Sequence, residues 1–81
     1  MELITLLSIV RNGTKYSVIK NNELLITRTM ERIVEGSQPR RHSLSTISGT
    51  EEEIWLSRAG INLHESVLGM SIQDNHITIY I

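Results

Sequence analysis

Asn12-Gly13 is the dipeptide that most narrows what this chain can fold into. Asn-Gly suits a type I′ turn, which needs positive φ at both central residues and joins two antiparallel strands. Before it, Glu2–Val10 reads ELITLLSIV. On a strand, Leu3, Leu7 and Ile9 fall on one face and Ile4, Leu6 and Val10 on the other. Apolar character on both faces predicts a central strand. After it, Lys15–Lys20 (KYSVIK) predicts the return strand, and Asn21-Asn22-Glu23 a second polar turn.

Leu24–Val34 alternates over a longer stretch. Thr27 and Thr29 favour a strand, while Met30, Ile33 and Val34 also fit helical spacing and leave a helix open for the second half. Gly36, Ser37 and Pro39 mark a turn, and Arg40–Ile47 reads as a fourth strand at a sheet edge. Thr50-Glu51-Glu52-Glu53 fits a capping box, with acids in the first turn that suit the helix dipole. Gly60 is the expected C′ stop. Ile54, Trp55 and Ile61 are the expected buried stripe of this short helix.

The tail predicts one more hairpin. Leu68, Met70 and Ile72 alternate, as do Ile77, Ile79 and Ile81, with Gln73–His76 as the turn. Asn62–Val67 fits either a helical turn or the start of that hairpin. The expected fold is a single α+β domain over residues 1–81. It has a small antiparallel sheet of four to six strands, formed by an N-terminal meander and a C-terminal hairpin, with one short helix packed on it.

With no Phe, one Trp and two Tyr, the core rests on Leu, Ile and Val. A domain this small buries roughly 60% of the surface its unfolded chain exposes. No Cys is present to staple it, so stability from a partner or from self-association is the expectation. Met1-Glu2 opens with an acid, and no apolar run nears the roughly 20 residues of a membrane span. A cytoplasmic protein with no membrane partner is expected, in the host cytoplasm if it is viral.

The net charge of −1 favours neither nucleic acid nor a membrane surface. Its distribution is uneven. Residues 1–48 hold seven Lys/Arg and four Glu, whereas residues 49–81 hold one Arg against four Glu and one Asp. Such a split makes a dipolar surface that orients encounters with a charged partner.

Catalytic and ligand motifs are sparse. His42, His64 and His76 lack the short ligand spacings of a zinc site, and no Cys joins them, so no metal is expected. Gly-x-Ser-x-Gly is absent, Asp74 is the only Asp, and Glu31 and Glu35 have no cleft to work in. No Gly-rich phosphate loop occurs, and Ser48-Gly49-Thr50 is better explained by Thr50 as a cap. These readings predict neither an enzyme nor a cofactor. Lys15, Lys20, Arg28, Arg32, Arg40 and Arg41 could line a nucleic-acid surface, but stacking aromatics are limited to Tyr16 and Tyr80. Asn12-Gly13-Thr14 also matches a glycosylation acceptor, and Arg40-Arg41-His42-Ser43 a basophilic kinase site. The turn reading accounts for the first, and four residues are too few to specify the second.

Protein binding remains. Trp55, Arg40, Arg41 and Arg58 are of types enriched in interface hot spots, although Trp55 also suits the role of core anchor for its helix. The candidate partner contacts are Arg28, Arg32, Arg40, Arg41, Glu51, Glu52, Glu53, Trp55 and Arg58.

The order of "MERIVEGS" (Met30–Ser37) and "GTEEEIW" (Gly49–Trp55), followed by Gly60, resembles a strand-turn-strand-helix stretch in small phage anti-CRISPR inhibitors of type I systems. The likeness covers about three quarters of the chain. It departs at the C-terminus, where a hairpin replaces a second helix. The resemblance implies a non-enzymatic blocker of a host defence or nucleoprotein complex, and no binding residue is carried over from it. The functional expectation is thus a phage or viral inhibitor that occludes a host protein complex sterically and through charge. The alternatives are a nucleic-acid-binding accessory protein and a self-assembling structural subunit that forms a homodimer or larger homo-oligomer through edge strands.

Overall fold

The computed structural model describes residues 1–32, 47 and 49–81. The turn at Gly36–Pro39 and the expected strand Arg40–Ile47, except Ile47 itself, lie outside the described residues. The elements run α1 (Leu3–Ile9), β1 (Lys15–Lys20), β2 (Glu23–Thr29), α2 (Glu51–Arg58), β3 (Gly69–Gln73) and β4 (His76–Tyr80). The strands form one sheet in the order β2-β1-β4-β3. Both hairpins are antiparallel, but the central pair β1 and β4 is parallel. The fold is α+β as expected; the sheet is mixed rather than wholly antiparallel, and the described residues hold two helices rather than one.

The N-terminal run is the main correction. Leu3, Leu6, Leu7 and Val10 are buried, whereas Thr5 and Ile9 are exposed. That is the i, i+3, i+4, i+7 stripe of a helix. A strand would have sent Leu6 and Leu7 to opposite faces. The amides of Leu3 and Ile4, which a helix start leaves without partners, donate to Glu65 O at 2.9 Å and Leu63 O at 2.8 Å. Residues 62–67 are therefore neither helix nor strand, but a segment that closes over the start of α1.

The turns also trade places. Arg11–Thr14 is a turn, with the Thr14 amide donating to Arg11 O at 3.1 Å. Only Gly13 there has positive φ, +89°, as a type II turn requires at its third position. The turn with two positive φ values is Asn21-Asn22, at 53° and 64°, flanked by the pair Lys20 and Glu23. Asn enters the left-handed region more readily than other non-glycine residues, so this pair makes the two-residue hairpin loop. The Asp74-Asn75 loop joins β3 to β4, as the tail pattern predicts.

Thr50 has the extended backbone of an N-cap, but no capping box forms. Its hydroxyl instead donates to Ile47 O at 2.5 Å. The other end is as expected. Gly60, with φ +78°, donates to Ser57 O, and Ile61 donates to Leu56 O. That pair of bonds is a Schellman motif, with Ile61 and Leu56 supplying its usual apolar contact.

The helices cover the sheet face that carries Tyr16, Val18 and Ile79. Leu56 points into this core from α2, joined by Met30, Ile47, Ile61 and Ile81. The expected stripe is thus corrected: Leu56 replaces Trp55 and Ile54, while Ile61 is buried.

Candidate functional site

The side chains with the most chemical character meet where α2 crosses β1 and β2. Glu52 lies one turn before Leu56 on the same helix, so both face inward, and its side chain is fully buried. A buried carboxylate needs charge-assisted partners. Arg28 on β2 supplies two, through Nε to Oε2 at 3.0 Å and Nη2 to Oε1 at 2.9 Å. Tyr16, whose register partner across the sheet is Arg28, donates its hydroxyl to Oε2. The Arg28 pKa is raised, first by its hydrogen bond to Glu52. The Tyr16 phenol is pushed well above its ordinary value, first by burial and then by Glu52. The trio brings together a phenol, a carboxylate and a guanidinium, with the two charged groups paired.

Arg28 also reaches outward. Its Cζ lies 4.9 Å from the centroid of the Trp55 ring, and Arg58 Cζ lies 5.5 Å from it. Both distances are within cation–π range. Trp55 itself is 44% exposed, so it is a surface residue and not the anchor of the core. Glu51, Ile54, Trp55 and Arg58 line a small hollow of about 100 Å³. On the far side of Ile54 and Arg58, a broader cleft of about 480 Å³ runs toward Leu63 and His64.

The candidate contacts therefore divide. Trp55 and Arg58 are exposed together, bordered by the half-buried Glu51 and Glu53. Glu52 is internal, so its carboxylate is withdrawn from any partner. Arg28 is held by Glu52 and offers only part of its guanidinium. Arg32 is turned inward to the end of α1, where Nη2 donates to the carbonyls of Leu7, Ser8 and Val10 and Nη1 to Asn12 Oδ1. A cation there satisfies terminal carbonyls and suits the negative end of the helix dipole. Arg40 and Arg41 lie outside the described residues.

One cluster had no local sequence signal. On the sheet face opposite Tyr16 and Val18, Ser17 Oγ lies 2.7 Å from His76 Nε2 and 2.9 Å from Thr27 Oγ1. Ser17 and His76 are brought together by the parallel pairing of β1 and β4. A cleft of about 450 Å³ lies beside them, lined by Lys15, Ser71, Gln73 and Asn75 among others. Among the described residues no carboxylate hydrogen-bonds His76, so the orienting acid that activates a serine–histidine pair is missing from this arrangement. The contacts satisfy a buried hydroxyl. His64 pairs with Glu2 at 2.9 Å on the surface, and among the described residues no three His, Asp or Glu side chains converge as metal ligands.

No helix among the described residues is long and apolar enough to cross a membrane. Compared with known protein families, curated proteins and solved structures, the chain has no match.

Proposed function

We propose that this is a small non-enzymatic protein-binding protein whose contact surface is the outer face of α2. The observation that carries the reading is Trp55. It is a large aromatic side chain, nearly half exposed, flanked by the guanidinium groups of Arg28 and Arg58. Trp and Arg are among the residues most enriched in hot spots, and contacts with two guanidinium groups reduce the entropy a partner must remove from the ring. Glu51 and Glu53 give the rim both signs of charge, which favours a protein partner over a phosphate backbone. Arg28 is already neutralised by Glu52, so among the described residues phosphate would meet Arg58 as the uncompensated cation on this face.

The resemblance noted in the sequence carries the reading one step further, to a phage or viral inhibitor that occludes a host defence or nucleoprotein complex. Of the residues that support that likeness, Ile33–Ser37 lie outside the described residues.

The test is a tagged pull-down from lysate of the natural host, with and without nuclease, using the native chain and Trp55→Ala. The expected result is one stoichiometric protein complex that survives nuclease. Trp55→Ala should keep its circular dichroism and thermal transition yet bind about 30-fold more weakly, the factor for a hot spot of about 2 kcal/mol. Recovery that disappears with nuclease would replace this reading with the nucleic-acid accessory protein. Unchanged binding by Trp55→Ala would remove α2 as the contact surface.

A further inference from the structure

Among the described residues no strand pairs with the outer edge of β3, and this edge differs from those that proteins usually leave exposed. Gly69–Gln73 reads GMSIQ, with no charge and no Pro. Natural edge strands are guarded by charges, prolines or covering elements. The opposite edge, β2, carries Glu23 and Arg28. On β3, Met70 is 51% and Ile72 is 63% exposed, and Leu68 just before it is 78% exposed.

The ladder determines which groups face outward. Gln73 and His76 flank the two-residue loop and form the first pair, with Ser71 opposite Thr78 and Gly69 opposite Tyr80. In an antiparallel two-residue hairpin the flanking pair is hydrogen-bonded, and bonding then alternates along the strands. Gln73, Ser71 and Gly69 therefore bond to β4, while Met70 and Ile72 direct their N–H and C=O groups away from the sheet. By the same alternation, the Met70 and Ile72 side chains stand on the face that carries Ile77 and Ile79, their register partners.

We infer that two copies of this chain pair through β3, antiparallel about a two-fold axis at Ser71. In that register Met70 of each copy lies opposite Ile72 of the other. Each of these pairs exchanges both backbone hydrogen bonds, which satisfies the outward groups of both edges. The four apolar side chains meet on the helix-bearing side of one continuous sheet. The register is self-complementary, and the neutral edge brings no like charges together, which is what an isologous contact needs. A second copy is thus the occupant that the edge itself specifies. One short strand buries much less than the roughly 800 Å² per partner of a standard interface, so the dimer is reversible, with a Kd on the order of micromolar or weaker. The inference is independent of the role of α2.

The absence of native cysteine makes the test specific to register. The first measurement is sedimentation of the full chain from about 10 µM to about 1 mM, a range that brackets such a Kd. The second is oxidative cross-linking of Ser71→Cys and Gln73→Cys. In the Ser71→Cys dimer the two introduced thiols face each other at the two-fold axis, with their Cα atoms about 4.5 Å apart, close enough for a disulfide. In the Gln73→Cys dimer the corresponding Cα atoms would be about 13 Å apart, beyond disulfide reach. The expected outcome is a concentration-dependent dimer, rapid cross-linking of Ser71→Cys only, and a dimer Kd raised at least tenfold by Ile72→Lys. A wild-type chain that stays monomeric throughout, or equal cross-linking at both positions, overturns the inference. The cross-linking result stands even if Ile72→Lys fails to fold.

Discussion

The two faces of α2 reverse the usual division of side chains. Glu52 is charged and fully buried, whereas Trp55, one turn further on, is the large apolar residue left 44% exposed. Arg28 connects them, donating to the Glu52 carboxylate while its guanidinium lies 4.9 Å from the centroid of the Trp55 ring. On the inner face, Glu52 and Tyr16 are buried beside a partly exposed Arg28, and every charge has a partner. On the outer face, an aromatic ring is exposed with cations beside it. On the proposed reading, the inner arrangement serves stability and the outer one binding. Mutations on the two faces should therefore separate stability from recognition.

The largest effect is expected from Glu52→Gln. It leaves the Arg28 guanidinium without its counter-charge, and removing one partner of a buried pair is costly. Arg28 is partly exposed and recovers some hydration, so the expected loss is about 3 kcal/mol, read as a urea midpoint or as a fall in Tm of more than about 10 °C. A loss below about 1 kcal/mol would show that the inner trio is not a structural unit.

Tyr16→Phe comes next, with an expected cost of about 1 kcal/mol at neutral pH for the lost hydrogen bond. Its signature lies in the pH dependence. The folded phenol is held above its ordinary value of 10, so the stability it contributes is fully present below pH 10. Above pH 10 the unfolded chain ionises first, and stability falls as the pH rises. Tyr16→Phe should lack that part of the alkaline decline, as measured by denaturant titrations at stepped pH. Equal slopes in the two proteins would separate Tyr16 from the Glu52 cluster.

The smallest effect on folding is expected from Arg58→Ala, within about 0.5 kcal/mol of the native chain. Its exposed side chain has no acidic partner among the described residues, so its contribution should appear in affinity for the captured partner, as a weaker copy of the Trp55→Ala defect. A destabilised Arg58→Ala with unchanged affinity would merge the two faces and undo the comparison.

Several parts of this architecture could be read along the chain. KYSVIK forms β1, the tail forms the expected hairpin around Asp74-Asn75, and Gly60 ends α2. The first helix was legible in principle, since Leu3, Leu6, Leu7 and Val10 have helical spacing. The same run is also apolar on both faces of a strand, and periodicity alone does not separate the two for so short a segment. Asn12-Gly13 makes a turn in the chain, but with helix α1 before it there is no strand to pair. The I′ geometry fell to Asn21-Asn22, between the two strands that do pair.

The candidate site was legible only in part. Trp55 and Arg58 could be selected by residue type, but their exposure could not. Glu51, Glu52 and Glu53 are chemically identical neighbours in the sequence, yet only Glu52 is fully buried. That difference depends on Tyr16 and Arg28, which reach Glu52 across 36 and 24 residues of chain.

Determined by the sequence alone were the features that depend on a few adjacent residues: the strand KYSVIK, the end of α2, and the alternation of the C-terminal hairpin. Each follows from backbone sterics or short-range periodicity. Tertiary structure alone decided that β1 and β4 lie side by side in parallel, that Arg32 closes α1, and that Glu52 is buried while Trp55 is exposed. Those outcomes depend on which distant groups arrive to satisfy a charge or a carbonyl. Burial of a polar group is favourable only when such partners are in place.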